Sequence, residues 1–218
     1  MRTRWSFLAS QVWLLAFSIC LTIYGMWLVY PLEIAYLDLP NQAYVSAKTI
    51  AYNFHILMNY LTNPFVQVLE MPDFRSSAAG LHHFQAVKWL FHLVQALTIF
   101  LLPAVYAFYK DVIKAGYLTL FKRRILAILL TPVVIGGVAM SMGFEFFFTL
   151  FHQILFVGDD TWLFDPRFDP VIRILPQDFF LHAFVLFFVL YEGLLLALYF
   201  FSRKRKDDVD GKYETSEA

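Results

Sequence analysis

The chain has 218 residues, of which 60% are hydrophobic, 19% aromatic and 16% charged, and its mean hydropathy is +0.60. A soluble domain is about half apolar and about a quarter charged, so this composition excludes an ordinary water-soluble protein and predicts a membrane protein. The single cysteine, Cys20, excludes a disulfide scaffold. Basic and acidic residues are equal in number, 17 of each, so the placement of the basic residues is more informative than the net charge.

Four apolar runs are long enough to cross a membrane, because a helix needs about 20 mostly apolar residues to cross a bilayer core of roughly 30 Å. They cover residues 7–30, 89–109, 125–146 and 179–201. The first run is too long for a cleaved signal peptide, so we expect it to remain as an anchor. The sequence therefore predicts an all-α integral membrane protein with four transmembrane helices and an extracytoplasmic helical cap, in which residues 1–201 form one membrane domain.

The basic residues predict the orientation, because segments rich in Lys and Arg stay on the cytoplasmic side. The N-terminus, residues 110–124 and the tail from residue 202 contain 12 of the 17 basic residues. We therefore expect a multi-pass protein of the plasma membrane with both termini in the cytoplasm. Segments 31–88 and 147–178 are then on the extracellular side. The polar tail, residues 202–218, is predicted to be disordered.

The two outer segments have different patterns. In the first, residues 46–61 have the apolar spacing of a helix, and Asn63 followed by Pro64 predicts the end of that helix. The second segment is rich in aromatic residues, and we expect it to lie on the membrane surface.

Histidines are concentrated in or beside these outer segments. His83 precedes the second span and His152 follows the third, so both are expected at a similar depth near the outer interface. A histidine exchanges protons near neutral pH, so such a pair is suited to act as a base and an acid. The alternative is that each is only an amphipathic anchor at the interface, and this alternative is preferred for His55 and His182.

Other polar residues of the spans have two interpretations. His92 belongs to a stripe with Gln85, Lys88 and Gln95, which is expected to face the bundle interior and to serve in helix packing. Glu192 lies near the middle of the fourth span and is either functional or a protonated side chain bonded to a neighbouring helix.

Glu145 lies two turns before His152, and it would orient the imidazole if the helix of the third span continued to that point.

Four aspartates of the second outer segment, Asp159, Asp160, Asp165 and Asp169, have a spacing that matches neither a calcium loop nor a zinc signature. Asp before Pro is typical of turns. Nucleophile motifs, phosphate-binding loops and dinucleotide fingerprints are absent from the sequence, and the topology explains the basic clusters. We therefore expect no metal, no cofactor and no nucleic-acid partner.

Two motifs of the chain resemble a known family, the lipoprotein intramolecular transacylases of Gram-positive bacteria. The first motif is GLHHFQAVKWLF at residues 80–91, and the second is FH at 151–152 followed by WLFDP at 162–166 and DPVIRILP at 169–176. The resemblance extends over nearly the whole chain. It implies an acyltransferase that moves the sn-2 acyl chain of a diacylglyceryl lipoprotein onto the amino group of that lipoprotein's N-terminal cysteine, which gives a lyso-form lipoprotein. The implied partners are the diacylated lipoprotein substrate and membrane lipids, with no obligate protein partner.

The resemblance also implies site residues. The family's first catalytic histidine lies five residues before a lysine in the motif His-Met-x-Asp-Val-Lys, which corresponds here to His83 before Lys88, with Phe and Ala in place of Met and Asp. The neighbouring His82 is the alternative, because it lies nearer the polar stripe if residues 82–95 form one helix. The second catalytic histidine corresponds to His152. Substrate binding is assigned to residues of the second motif: Phe151, Trp162, Phe164, Asp165 and Asp169.

This chemistry needs no nucleophile from the enzyme, because the amine of the substrate attacks its own ester through a cyclic intermediate. We assign His152 as the base and His83 as the acid, and the reverse assignment stays open. Two other classes also stay open. One is a non-catalytic multi-pass membrane protein, such as a transporter or a receptor subunit, and the other is a metal-dependent membrane hydrolase that uses the histidines and the loop aspartates.

Overall fold

The computed structural model describes the backbone of residues 2–214 and the side chains of residues 3–202. The described residues form helices and turns and contain no strand. The helices are α1 (Arg2–Tyr36), α2 (Leu39–Ala43), α3 (Ala47–Thr62), α4 (Ala78–Phe100), α5 (Leu102–Phe108), α6 (Lys122–Met142), α7 (Phe144–Leu155) and α8 (Gln177–Glu214). A π-helical turn (Tyr109–Lys114) and a 3-10 turn (Tyr117–Phe121) join α5 to α6, and a second 3-10 turn (Pro170–Arg173) precedes α8.

Three helical stretches of the described residues, Thr3–Tyr36, Tyr117–Met142 and Gln177–Ser202, are each long and apolar enough to cross a membrane. Helices α4 and α5 pass the same test only together, as one span with a bend of 43°. This confirms the predicted all-α membrane fold, and the predicted number of four spans requires the bent pair to count as one.

Two of the predicted spans are interrupted. Pro103, near the start of α5, has no N–H to donate to the carbonyl of Ile99 and crowds that carbonyl with its ring, so α4 cannot continue straight through residues 89–109. Gly143 has a φ of +85°, a region that favours glycine, and it separates α6 from α7 within the predicted span 125–146. Glu145 therefore belongs to a separate helix of 12 residues.

The predicted cap helix is confirmed. Its N-terminus is fixed by the Ser46 side chain, which accepts a hydrogen bond from the backbone N–H of Thr49 at 3.1 Å. The helix ends at Thr62, because Asn63 takes an extended conformation before Pro64.

The cap packs on the C-terminal half of α1 through one aromatic contact and one hydrogen bond. Tyr30 stacks on Phe54 of α3 with ring centroids 3.4 Å apart, and its hydroxyl donates to the carbonyl of Ile174 at 2.6 Å. These residues belong to the largest buried cluster of the described chain, which joins α1 and α3 to the beginnings of α4 and α8. The largest core therefore lies beside the elements that carry the histidines.

The last helix continues farther than the predicted span, which ends at residue 201. Its backbone is helical to Glu214, within the tail that was predicted to be disordered, and residues 215–218 lie outside the described residues. Lys and Arg are good helix formers and adding a residue to an existing helix requires no new nucleus, so a polar composition alone does not end a helix.

Candidate active site

His83 and His152 lie beside each other, although 69 positions separate them in the sequence. His83 is on the second turn of α4 and His152 is on α7, and their ring centroids are 5.9 Å apart with an angle of 35° between the rings. His83 is 7% exposed. The structure thus brings the two histidines singled out in the sequence into one partly desolvated site, where groups of one bound molecule can reach both rings.

The position of His83 depends on how α4 begins. Ser77 caps the helix by accepting a hydrogen bond from the N–H of Gly80 at 3.0 Å. Asp169, which is 4% exposed, accepts hydrogen bonds from the backbone N–H and from the hydroxyl of Ser77, both at 2.7 Å. A carboxylate beside a helix N-terminus is favourable because of the helix dipole. Asp169 therefore holds the turn from which His83 projects.

His152 has a defined tautomer, because its Nδ1 lies 2.8 Å from the backbone carbonyl of Phe148. A carbonyl only accepts hydrogen bonds, so Nδ1 carries the proton and the lone pair of the neutral ring is on Nε2. Burial lowers the pKa of His152 below its usual value, against a smaller rise caused by this hydrogen bond. Glu145 lies on the same helix, α7, but the group that orients this imidazole through Nδ1 is the backbone carbonyl of Phe148 and not the predicted Glu145.

Aromatic rings enclose the two histidines. Trp162 stacks on His152 with centroids 4.7 Å apart, and Phe156 and Phe164 meet the His83 ring edge-on at 4.8 Å and 5.5 Å. Inside this enclosure, Nδ1 of His83 and Nε1 of Trp162 are buried without a hydrogen-bond partner among the described residues. These two nitrogen atoms are therefore available to form hydrogen bonds with a ligand in the enclosure.

The residues predicted to bind substrate separate into two groups. The aromatic ones lie at the histidines: Trp162 and Phe164 as described above, and Phe151 with its ring centroid 5.7 Å from that of His152. The two acidic ones do not, because their oxygens already have partners. Asp165 binds Arg167 at 2.6 Å on the surface, where these hydrogen bonds lower the pKa of Asp165 to about 2.

Asp169 is the second acidic residue of this group. Both of its oxygens are bound to Ser77 and its side chain is buried, so the structure gives it a supporting position in place of the predicted contact with substrate. Its partner lies 92 positions away in the chain, so no local pattern in the sequence indicates the pairing.

His82, the alternative to His83, points elsewhere. Its side chain is 61% exposed, and its Nε2 lies 3.1 Å from Oδ2 of Asp159. Hydrogen bonds from Thr161 are the main cause that lowers the pKa of this aspartate, and His82 adds to the effect. The ring beside His152 therefore belongs to His83.

The remaining polar residues of the spans form packing contacts. Nδ1 of His92 bonds the side-chain oxygen of Gln95 at 2.9 Å, and the amide of Gln95 donates to the hydroxyl of Tyr24 on α1 at 2.8 Å. The ammonium of Lys88 donates to the carbonyl of Val66 in the cap. Lys88, His92 and Gln95 thus agree with the expectation that the stripe faces the interior and joins helices, whereas Gln85, its first member, is exposed.

Three other titratable residues lie apart from the histidine pair. His55 packs against Trp27 at 5.2 Å, and Nδ1 of His182 donates to Glu33 at 2.7 Å. Glu192 is buried, and one of its oxygens has no hydrogen-bond partner among the described residues.

Within the described residues, no three His, Cys, Asp or Glu side chains are grouped so that they could hold a metal ion. Asp159, Asp165 and Asp169 are each bound to a different residue, His82, Arg167 and Ser77. The second outer segment is therefore organised by hydrogen bonds of its carboxylates to protein groups.

Comparison with known proteins gives a consistent result. The model of the family described as lipoprotein intramolecular transacylase Lit matches residues 5–180. The solved structure of the membrane-integral lipoprotein intramolecular transacylase Lit from Bacillus cereus is similar with a TM-score of 0.80 and 25% sequence identity, over 96% of each chain.

Two variants of that Bacillus cereus protein, with one histidine replaced by arginine or by alanine, are similar with TM-scores of 0.75 and 0.72. Both are 25% identical to this chain and cover 96% of it and 94% of their own length. No curated protein matches the chain.

Proposed function

This chain belongs to the lipoprotein intramolecular transacylase family of membrane acyltransferases, and we propose that it moves the sn-2 acyl chain of a diacylglyceryl lipoprotein onto the amino group of the lipoprotein's own N-terminal cysteine. The observation that carries the proposal is the pair of imidazoles at 5.9 Å, enclosed by aromatic rings. Acyl transfer from oxygen to nitrogen within one molecule needs one proton removed and one proton supplied, and two histidines provide both.

His152 is the base in this proposal. Its Nδ1 is occupied by the Phe148 carbonyl, so Nε2 is the atom that accepts a proton from the amine. The amine must be neutral to attack, and an N-terminal amine has a pKa of about 7.7–8.0, so a substantial fraction is reactive near neutral pH. The amine nitrogen forms a bond to the ester carbonyl carbon while Nε2 takes its proton.

His83 is the acid. Burial and the neighbouring His152 lower the pKa of His83 to about 4, so its ring is neutral near neutral pH and receives a proton from His152 before it acts. When the tetrahedral intermediate collapses, the bond between the carbonyl carbon and the glyceryl oxygen breaks, and His83 gives this proton to that oxygen. The products are an amide on the cysteine and a free hydroxyl on the glyceryl group, so the number of acyl chains is unchanged. The proton that His152 takes from the amine thus reaches the glyceryl oxygen through His83, and both rings end neutral; the 5.9 Å between the ring centroids supports this transfer.

The enclosure contributes by confining a flexible substrate. Trp162, Phe151 and Phe164 offer apolar surface for the glyceryl and acyl groups, which holds the amine close to the ester and supplies much of the rate. Exclusion of water by the same rings strengthens the hydrogen bonds to the developing oxyanion.

The proposed topology places both termini in the cytoplasm and the histidine pair at the extracellular face of the plasma membrane. Its support is the distribution of basic residues: Arg4 and Arg124 lie at the starts of α1 and α6, at the end of the bundle remote from the cap and the histidines.

Mass spectrometry of the N-terminal peptide of one lipoprotein, processed by purified protein in liposomes, tests the reaction. The wild-type chain is expected to relocate one acyl group from glycerol to the amine at unchanged total mass, and His83→Ala and His152→Ala are expected to give none of this product. His82→Ala is the matched control and should retain most of the activity, because its ring faces Asp159. Full activity of His152→Ala would refute the assignment.

A further inference from the structure

A cavity of about 400 Å³ lies at the end of the bundle opposite the histidine pair, where α1 and α6 begin. The residues that line it include two arginines, Arg4 and Arg124, and two residues that carry hydroxyl groups, Thr3 and Tyr117. The rest of the lining is apolar and includes Val112, which is fully buried and forms part of its floor. The acyl-transfer proposal uses none of these residues.

The two arginines have no anionic partner in the described part of the chain. The lining contains no acidic residue, and no described carboxylate lies within ion-pair distance of either guanidinium. Arg124 lies over the ring of Phe121, 5.7 Å from its centroid, and this contact orients the guanidinium without neutralising its charge. Two like charges that share one cavity favour an anion between them.

Two of the lining residues are arginines at the starts of apolar runs, where basic side chains are expected near the phosphate groups of a bilayer. Arg4 precedes the first apolar residue of its span, Phe7, by three positions, and Arg124 immediately precedes Ile125. Leu120, also in the lining, is 76% exposed, so an apolar side chain beside the arginines is available to contact an acyl chain. A volume of about 400 Å³ accommodates a headgroup and leaves the acyl chains outside, along the helices.

We propose that this cavity binds the phosphate group of an anionic glycerophospholipid of the adjoining leaflet. A guanidinium presents two parallel N–H donors that match two phosphate oxygens, so Arg4 and Arg124 together hold the phosphate from two helices. The hydroxyls of Thr3 and Tyr117 complete the set of donors. Basic pockets at helix ends are typical sites for anionic lipid headgroups. The bound lipid joins the start of α1 to the start of α6.

The experiment titrates delipidated protein in detergent with phosphatidylglycerol or with phosphatidylcholine of the same acyl chains, and counts bound lipids by native mass spectrometry. The wild-type chain is expected to bind phosphatidylglycerol at least tenfold more tightly. Arg4→Gln with Arg124→Gln should bind both lipids equally. Arg123→Gln is the matched control, because Arg123 is exposed like Arg4 and Arg124 but does not line the cavity, and it should behave as wild type.

Two further measurements make each outcome decisive. The double variant Arg4→Lys with Arg124→Lys keeps the charge and loses the paired donors, so its preference for phosphatidylglycerol is expected to be intermediate. The same variant replaces the glutamine variant if the latter does not fold. Inorganic phosphate is titrated alone to distinguish a lipid from the free ion. The proposal is overturned if the glutamine variant keeps the preference, if Arg123→Gln loses it equally, or if free phosphate binds as tightly as the lipid.

Discussion

Gly80→Ala is the sharpest test of how the fold positions His83. Gly80 is on the first turn of α4, three residues before His83, and a Cβ added there would lie 2.2 Å from Oδ1 and 2.9 Å from Cγ of Asp169. Real Cβ contacts are essentially never shorter than 3.0 Å, so the helix or the carboxylate must move by about 1 Å. Either movement disturbs the two hydrogen bonds, each 2.7 Å long, that hold Ser77.

The expected magnitude follows from that displacement. A shift of about 1 Å in a catalytic group costs roughly 10²-fold in rate, so we expect kcat to fall by about this factor. KM should change little, because the aromatic rings that would bind the acyl chain are not displaced. Loss of one charge-assisted hydrogen bond to Ser77 would also lower the free energy of unfolding by about 1.5–3 kcal/mol.

The assay compares initial rates of lyso-lipoprotein formation for Gly80→Ala with those for Gly137→Ala, a helical glycine of α6 whose added Cβ would meet no atom within 4 Å. The Gly137 variant should have the wild-type rate. A second comparison introduces Gly80→Ala into an Asp169→Ala background, where the obstructing carboxylate is absent. There it should have little additional effect, because the two changes act on one contact. A wild-type rate for Gly80→Ala, or an equally large fall in the Asp169→Ala background, would refute the reasoning.

Three further predictions follow from the site. Burial lowers the pKa of His152, so its NMR titration midpoint should lie below the ordinary value of about 6.5. The ring should then still be neutral at pH values where an exposed histidine is charged. Trp162→Ala should raise the midpoint towards the ordinary value, because it exposes the ring. Asp165→Asn should keep nearly the wild-type rate, because its carboxylate faces Arg167 on the surface, and a large fall in kcat would contradict this. A metal chelator should leave product formation unchanged, since no described cluster of ligands fits a metal ion, and loss of activity restored by added zinc would contradict it.

The sequence predicted well what depends on local composition. Runs of about 20 apolar residues predict spans wherever the helix continues. The apolar spacing over residues 46–61 and the Asn-Pro pair that follows predict the ends of the cap helix within one residue. The placement of His83 and His152 at a common depth also depends only on where two spans end. The distance between the two rings across the bundle also depends on how the helices pack, so only the structure gives it.

The features that were not predicted depend on interruptions and on long-range contacts. Gly143 was expected to lie in a continuous helix, but its positive φ ends α6 there. Glu145 and His152 share α7, and the partner of the imidazole is a backbone carbonyl, that of Phe148, which side-chain spacing in the sequence does not indicate. Asp169 was expected to contact substrate because it belongs to a conspicuous motif. Whether a carboxylate faces a substrate or caps another element depends on tertiary packing, which a short motif does not specify.

The break at Gly143 also separates two parts of the site by their rigidity. His83 stands on a helix whose start is fixed by a buried carboxylate and by the largest core, whereas α7, all of whose residues are described, has no fully buried side chain. Fewer buried contacts make an element easier to displace. We therefore expect that displacing α7, with His152, about Gly143 costs less free energy than displacing the start of α4, so that the wall with His83 is the more rigid one.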